Sequence, residues 1–314
     1  MILTTIKQGI SIIFAYLCNH QRIGNINGLT TIFYIMTIFP CAKINLGLNV
    51  VSKREDGYHS LETVFYPIPL YDALEVHKMD HDFPSETNCD IKITGMELIG
   101  NDEDNLVVRA YNLLAQDFRL PRVHVHLCKK IPSQAGLGGG SSDAAFMIRL
   151  LDEEFHLNMG IPEMERYASK LGADCAFFIT AEPAFATGIG DILEPADGEY
   201  GNLDGYFLAL VKPDIAVSTR EAYAGIQPQI PAKCCRDIVR QPIETWREEL
   251  KNDFETTIFD KYPRLGEIKE TLYENGAVFA LMSGSGSSVF GIFREQPVGV
   301  SQMFGDCFTA VMPL

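Results

Sequence analysis

The chain is short of positive charge: 26 Lys and Arg stand against 41 Asp and Glu, a formal net charge of −15 with His neutral. That deficit excludes a large nucleic-acid surface, which needs concentrated positive charge to displace counterions. An anionic nucleotide remains compatible, because a few basic groups and backbone N–H groups suffice locally. Organised cysteine is also missing. Cys18, Cys41, Cys89, Cys128, Cys175 and Cys307 stand alone, and only Cys234 and Cys235 are adjacent. Without a Cys-x-x-Cys or His-rich pattern there is no zinc or disulfide framework, and free thiols in a reducing, cytoplasmic setting are expected. Long hydrophobic runs are lacking too. Apolar stretches at 8–18 and from Ile32 to Pro40 are separated by polar residues between Asn19 and Asn27, and neither is long enough to span a membrane. No clean small-residue cleavage site marks a signal peptide. No stable membrane association is expected, and residues 1–35 read as an extension outside the core or a misassigned start ahead of Met36.

What is present suits a compact globular protein. At 314 residues, 46% hydrophobic and 21% charged, the chain is long enough for two domains of ordinary size. From Met36 to about Thr187, strand-like and helix-like segments alternate. Strands are expected at 41–50, 58–66, 72–79 and 123–127, with a sharp turn at Asp56-Gly57. A helix over 105–118 has Asp104 as a possible cap, and a shorter one runs from Pro162 to Leu171-Gly172. Residues 190–204, rich in Gly, Pro and acidic side chains, read as a boundary between domains at 36–190 and 203–314. Beyond it, strands at 205–211, 277–282, 287–293 and 307–312 surround a helix at 218–224 and two helical segments in 244–275 broken near Pro263. That order predicts helices packed on an antiparallel sheet, an α+β arrangement.

The most informative punctuation is IPSQAGLGGGSSDAA at 131–145. Its glycines allow close approach of a ligand to the main chain. The helix that follows offers orphan N–H groups and a positive dipole end, with Ser141 or Ser142 as cap and added donors. Phosphate oxygens fit such a cradle. A flexible loop ending in an ordinary serine cap fits the same residues. The segment lacks the Gly-Lys-Ser/Thr ending of a Walker A loop, and its proline-containing approach departs from the dinucleotide fingerprint. A second tract, SGSGSS at 283–288, either closes over a ligand or turns the chain between two strands.

Phosphoryl transfer asks for alignment, charge neutralisation and often a proton acceptor. Asp174, in LGADCAFF, follows a helix end and precedes an apolar strand, so it suits a base facing a cleft or a capping aspartate. Lys43 and Asn45 share one face of the first strand, since the side-chain period is two. A lysine there either pairs with Asp174 or snorkels from an edge. Tyr58 and His59 are either partners for a flat ligand or ordinary sheet residues.

Five ordered segments are similar to the galactokinase, homoserine kinase, mevalonate kinase and phosphomevalonate kinase superfamily: AKINLGL at 42–48, DGYHSLETVF at 56–65, the glycine tract, LGADCAFF at 171–178 and SGSGSSVFGIF at 283–293. DEDNLVVRA at 102–110 and NDFE at 252–255 add weaker support. The chain most resembles the branch that phosphorylates a cytidine-diphosphate-linked methylerythritol in bacterial isoprenoid synthesis. The resemblance implies a ribosomal protein S5 domain 2-like α/β domain followed by a ferredoxin-like domain. It implies transfer from ATP, usually with Mg²⁺, to the C2 hydroxyl of that acceptor, in a monomer or weak homodimer with no metal assigned to protein side chains. Lys43 and Asp174 would then be catalytic. ATP would lie against Asn105, Leu106, Pro132, Gln134, Ala135, Gly136, Leu137, Gly138, Gly139, Gly140, Ser141 and Ser142. Asn45, Tyr58, His59, Thr219 and Tyr223 would bind the acceptor, with Tyr223 stacking on its cytosine. Ala176, where many relatives have proline, and the 35-residue leader depart from the family pattern. A homoserine- or mevalonate-type kinase and a non-enzymatic nucleotide sensor are the competing readings. The aromatic residues weigh against the first, and the Lys43–Asp174 combination against the second.

Overall fold

A computed structural model describes residues 36–314 apart from 81, 83, 98–100 and 197–202, together with the backbone of an isolated hairpin, β1 (Ile23–Ile26) and β2 (Leu29–Ile32). The expected extension over residues 1–35 otherwise lies outside the described residues. The N-terminal half contains β3 (Thr37–Ile38), β4 (Cys41–Lys53), β5 (His59–Tyr71), β6 (Ala73–Lys78), β7 (Cys89–Gly95), β8 (Val123–Lys129), β9 (Ala184–Thr187) and β10 (Ile192–Pro195). They form two four-stranded sheets, β10-β9-β5-β4 and β3-β6-β8-β7, antiparallel except for the β7–β8 pair.

Helices α1 (Leu106–Leu114), α2 (Gly139–Phe155), α3 (Ile161–Ala168) and α4 (Phe177–Thr180) cover the second sheet. The alternation of β8 puts Val123, Val125 and Leu127 inward, where they join Leu74 and Val76 of β6, Val107 and Tyr111 of α1, and Ala144, Ile148 and Leu151 of α2.

The C-terminal half is one antiparallel sheet of order β12-β13-β11-β14, built from β11 (Phe207–Pro213), β12 (Phe279–Met282), β13 (Val289–Phe293) and β14 (Cys307–Pro313). Between and after these strands lie α5 (Thr219–Ala224), α6 (Cys235–Val239), α7 (Trp246–Glu249), α8 (Phe254–Lys261), α9 (Pro263–Glu274) and α10 (Val300–Met303). Pro263 occupies the first turn of α9, where its missing N–H costs nothing, so the helix break falls as the sequence indicates. One face of this sheet packs on Ile258, Leu265, Ile268 and Leu272 of α8 and α9. The other face, through Leu208, Leu210, Phe290 and Ile292, packs directly on Ala42, Ile44 and Leu46 of β4. Ile44 and Leu46 are fully buried, worth roughly 1.5–3 kcal/mol each. The two halves therefore share a core. Strand alternation then turns Lys43 and Asn45 to the opposite face.

Several local expectations differ from the observed elements. Asn105, not Asp104, caps α1: its Oδ1 accepts from the Val107 N–H at 2.9 Å, while Asp102–Asp104 form a separate 3₁₀ turn. The apolar run after Asp174 is the short helix α4, not a strand; four apolar residues carry no period that separates the two. The first sheet continues through β10 to Pro195, past the expected end at residue 190. Strand β7 is absent from the expected set, although its Cys89, Ile91 and Ile93 alternate with Asp90, Lys92 and Thr94. Among the described residues no helix is long and apolar enough to cross a membrane.

Candidate active site

The glycine tract forms the floor of a cleft of about 880 Å³. Helix α2 begins at Gly139, so its N-cap is Gly138 at φ +69° and not Ser141 or Ser142 as expected. A side chain at Gly138 would meet the Phe178 ring at 2.8 Å, which explains why glycine holds that position. Buried Ile131, Ala135 and Leu137 fasten the loop to the core, leaving main-chain amides at the start of a 17-residue helix to face the cleft. Ser141 lines the cleft, whereas Ser142 is fully buried and its hydroxyl has no protein partner.

The second glycine tract has one of its two expected roles, the turn. It turns the chain between β12 and β13, and it lies on the first loop. Ser283 Oγ donates to the Gly136 carbonyl at 2.9 Å, and Ser288 N–H donates to the Ala135 carbonyl at 3.2 Å. At Gly136 a Cβ would fall 1.9 Å from the Ser283 carbonyl oxygen, so the two backbones meet only because Gly136 has no side chain.

Lys43 is 3% exposed and reaches the same carbonyl. Its Nζ donates to Gly136 O at 3.1 Å and to Asn45 Oδ1 at 2.7 Å, and stands 3.5 Å from Asp174 Oδ2. Burial pulls its pKa below the ordinary lysine value, and the Asp174 carboxylate opposes that pull. Asp174 lies in the turn before α4 with its side chain about one-third exposed toward the cleft. Asn45 is fixed in turn by Thr63, which accepts from its Nδ2 at 2.8 Å and donates to the Gly47 carbonyl.

Behind the loop sits a network that sequence reading missed. Lys129 at the end of β8 donates to Asp72 and, at 2.6 Å, to Asp143 on α2; all three are buried. Asp72 also accepts the N–H groups of Lys130 and Ile131, so one ammonium clasps both ends of the phosphate loop. Nothing near Lys129 or Asp143 signals this partnership in the sequence.

The remaining expected residues divide. Asn105, Leu106, Pro132 and Gln134 line one end of the cleft, and Thr219 and Tyr223 line the other. His59 stacks flat on Tyr223, with ring centroids 4.8 Å apart and an interplanar angle of 16°. Neither Tyr58 nor His59 is among the residues that line the cleft; Tyr58 is 61% exposed, and His59 is the ring brought onto Tyr223. A base placed between His59 and Tyr223 would need roughly double that separation.

Residues 105–182 match the GHMP kinases N terminal domain and residues 236–302 match GHMP kinases C terminal. A 4-diphosphocytidyl-2-C-methyl-D-erythritol kinase of Bacteroides fragilis is 54% identical over 261 residues, covering 83% of this chain and 93% of the relative. The kinase of the same description from Parabacteroides distasonis is 50% identical over 275 residues, covering 87% and 97%. A crystal structure of 4-(cytidine 5'-diphospho)-2C-methyl-D-erythritol kinase superposes with a TM-score of 0.68 at 28% identity, covering 89% of this chain and 100% of that one. Methanococcus jannaschii mevalonate kinase, at 13% identity, shares the fold with a TM-score of 0.64 over 89% of this chain and 97% of its own. The cleft geometry, the two matched domains and the near-full-length identity agree: this chain belongs to the 4-diphosphocytidyl-2-C-methyl-D-erythritol kinase family of the GHMP kinases.

Proposed function

We propose that the protein transfers the γ-phosphoryl group of ATP to the C2 hydroxyl of 4-diphosphocytidyl-2-C-methyl-D-erythritol, giving ADP and the 2-phosphate for non-mevalonate isoprenoid synthesis. The Lys43–Asp174 pair beside the phosphate loop, at 3.5 Å, carries this reading. Asp174 Oδ2 takes the proton of the C2 hydroxyl as its oxygen attacks the γ-phosphorus, and the bond to the bridging oxygen of ADP breaks. Lys43 orients Asp174 across 3.5 Å and places positive charge beside the transferred group. Loop amides of Gly138 to Ser141 receive the phosphates, and Asn105 and Leu106 border the adenine. Asn45 and Thr219 hold the acceptor. Tyr223, with His59 and Tyr58, receives the cytosine after His59 moves off the Tyr223 ring.

Mg²⁺ fits the oxygen atoms that Ser141 and Asp174 offer to the cleft, and it would neutralise charge on the β- and γ-phosphates. We read the N-terminal unit, 36–195, as ribosomal protein S5 domain 2-like and 203–314 as ferredoxin-like. The βαββαβ order of the second, with outer strands β12 and β14, supports that reading. The seven described cysteines are all free, which suits the cytoplasm.

A coupled ADP-release assay over a panel of alcohols tests the assignment. The cytidylated acceptor should give the highest kcat/KM. Preference for homoserine or mevalonate would replace it with another kinase of the superfamily.

A further inference from the structure

The segment that joins α7 to α8 touches both ends of the cleft without lining its phosphate loop. Asn252 is 3% exposed, and its Nδ2 donates to the Met282 and Gly284 carbonyls at 2.8 Å each, while its Oδ1 accepts from the Phe254 N–H at 3.0 Å. Both amide hydrogens and the carbonyl are thus committed, which fixes the side chain's orientation. Met282 ends β12, and Gly284 belongs to the second glycine loop that follows it, the loop whose Ser283 donates to Gly136. The same segment is tied to the strand carrying Lys43 and Asn45. Leu48 N–H donates to the Lys251 carbonyl and Asp253 N–H donates to the Leu48 carbonyl, each at 2.9 Å. Asp253 Oδ2 accepts from the Val50 N–H at 2.7 Å.

One residue further on, the contacts pass to the opposite end. Phe254 is 2% exposed and meets Tyr223 edge-on, with centroids 4.8 Å apart at 83°. Tyr223 in turn carries the stacked His59. A ring that must accept a flat base needs its plane held, and an edge contact from a buried phenyl does that.

We propose that Asn252 and Phe254 are paired positioning residues: Asn252 sets the C-terminal glycine loop on the phosphate loop, and Phe254 sets the plane of the base-stacking Tyr223. This role rests on the kinase reading above. Asn252 acts through Gly284 and Ser283, and Phe254 acts through Tyr223. Two positions flanking Asp253 on one segment thereby align the nucleotide side and the acceptor side of the same cleft.

The consequence is a split that a merely structural hub would not produce. In the full chain, N252S removes the two donated hydrogen bonds while keeping an acceptor for Phe254 N–H, and F254L keeps bulk while removing the ring. N252S should raise KM for ATP about tenfold while KM for the cytidylated acceptor stays within about twofold. F254L should raise acceptor KM about fivefold and leave ATP KM within about twofold. Equal shifts of both constants in either variant, or none, would overturn the proposal. Hydrogen exchange read without turnover supplies a second arm. In N252S, or in N252Q if the serine variant does not fold, amides of residues 283–286 should lose protection while those of β9 keep theirs. Uniform loss of protection, or unchanged loop amides, would also overturn it. If the wild-type chain fails to phosphorylate the acceptor, the kinase assignment falls, and the exchange arm still decides the role of Asn252.

Discussion

Lys43 Nζ stands 3.5 Å from Asp174 Oδ2 while two shorter hydrogen bonds bind it to Asn45 and to the Gly136 carbonyl. The ammonium therefore joins the proposed base, the acceptor side and the phosphate loop through one buried group. D174N keeps the shape of the side chain and removes the proton acceptor. It should lower kcat by about 10²–10⁴-fold with ATP KM changed less than about threefold. Steady-state kinetics with both substrates measure this, and near-normal kcat would remove Asp174 from the base role.

The His59–Tyr223 stack makes a separate prediction about the acceptor. Y223A removes the platform, so acceptor KM should rise about tenfold with ATP KM nearly unchanged. Titration of wild type with the cytidine nucleotide fragment alone should also perturb the His59 ring resonances in NMR, because the base must part the two rings. Unmoved His59 signals at saturation would show that the base binds elsewhere.

Gly136 and Gly140 lie four residues apart yet differ in what a methyl group would meet. At Gly136 it collides with the backbone of Ser283 at φ +73°, and no side-chain movement relieves that. At Gly140 its nearest neighbour is Leu106 Cδ1 at 3.7 Å, ordinary contact inside a helix. G136A should lose about 3 kcal/mol or more and G140A should be neutral or slightly more stable, as read by denaturant melts.

Burial pushes the Asp143 carboxyl up to about 7 against the opposing pull of Lys129. The folded chain holds this proton more tightly than the unfolded chain, where an aspartate titrates near about 3.9. Its contribution to stability is therefore full below about pH 4 and lost as pH rises through about 7. D143N removes that titration, so its melting temperature should fall less than that of wild type between about pH 4 and about pH 7. Parallel curves would place the titration elsewhere.

The strand that carries Lys43 and the loop that carries Gly136 were both legible, because alternation and clustered glycine are local signals. Their meeting was not. Lys129, Asp72 and Asp143 are separated by 57 and 14 residues and converge only through the sheet and helix that hold them. Thr63 and Asn252 likewise act through long-range pairing, although NDFE stood out as a motif without a role. The helix after Asp174 was misread because CAFF is too short to show a period. Tyr58 and His59 are adjacent on the chain, so sequence could not tell which ring turns toward Tyr223. Tyr58 lies just before β5, whose first residue is His59, and the structure brings His59 onto Tyr223.

The central claim is the identity of the transferred group's acceptor, and the product itself tests it most directly. Phosphorus NMR of a reaction containing purified protein, ATP, Mg²⁺ and 4-diphosphocytidyl-2-C-methyl-D-erythritol should show ADP and one new phosphomonoester. The ester carbon at C2 bears a methyl group and no hydrogen, so that monoester signal should be unsplit by any proton on the ester carbon. No new monoester, or one split by such a proton, would contradict the account.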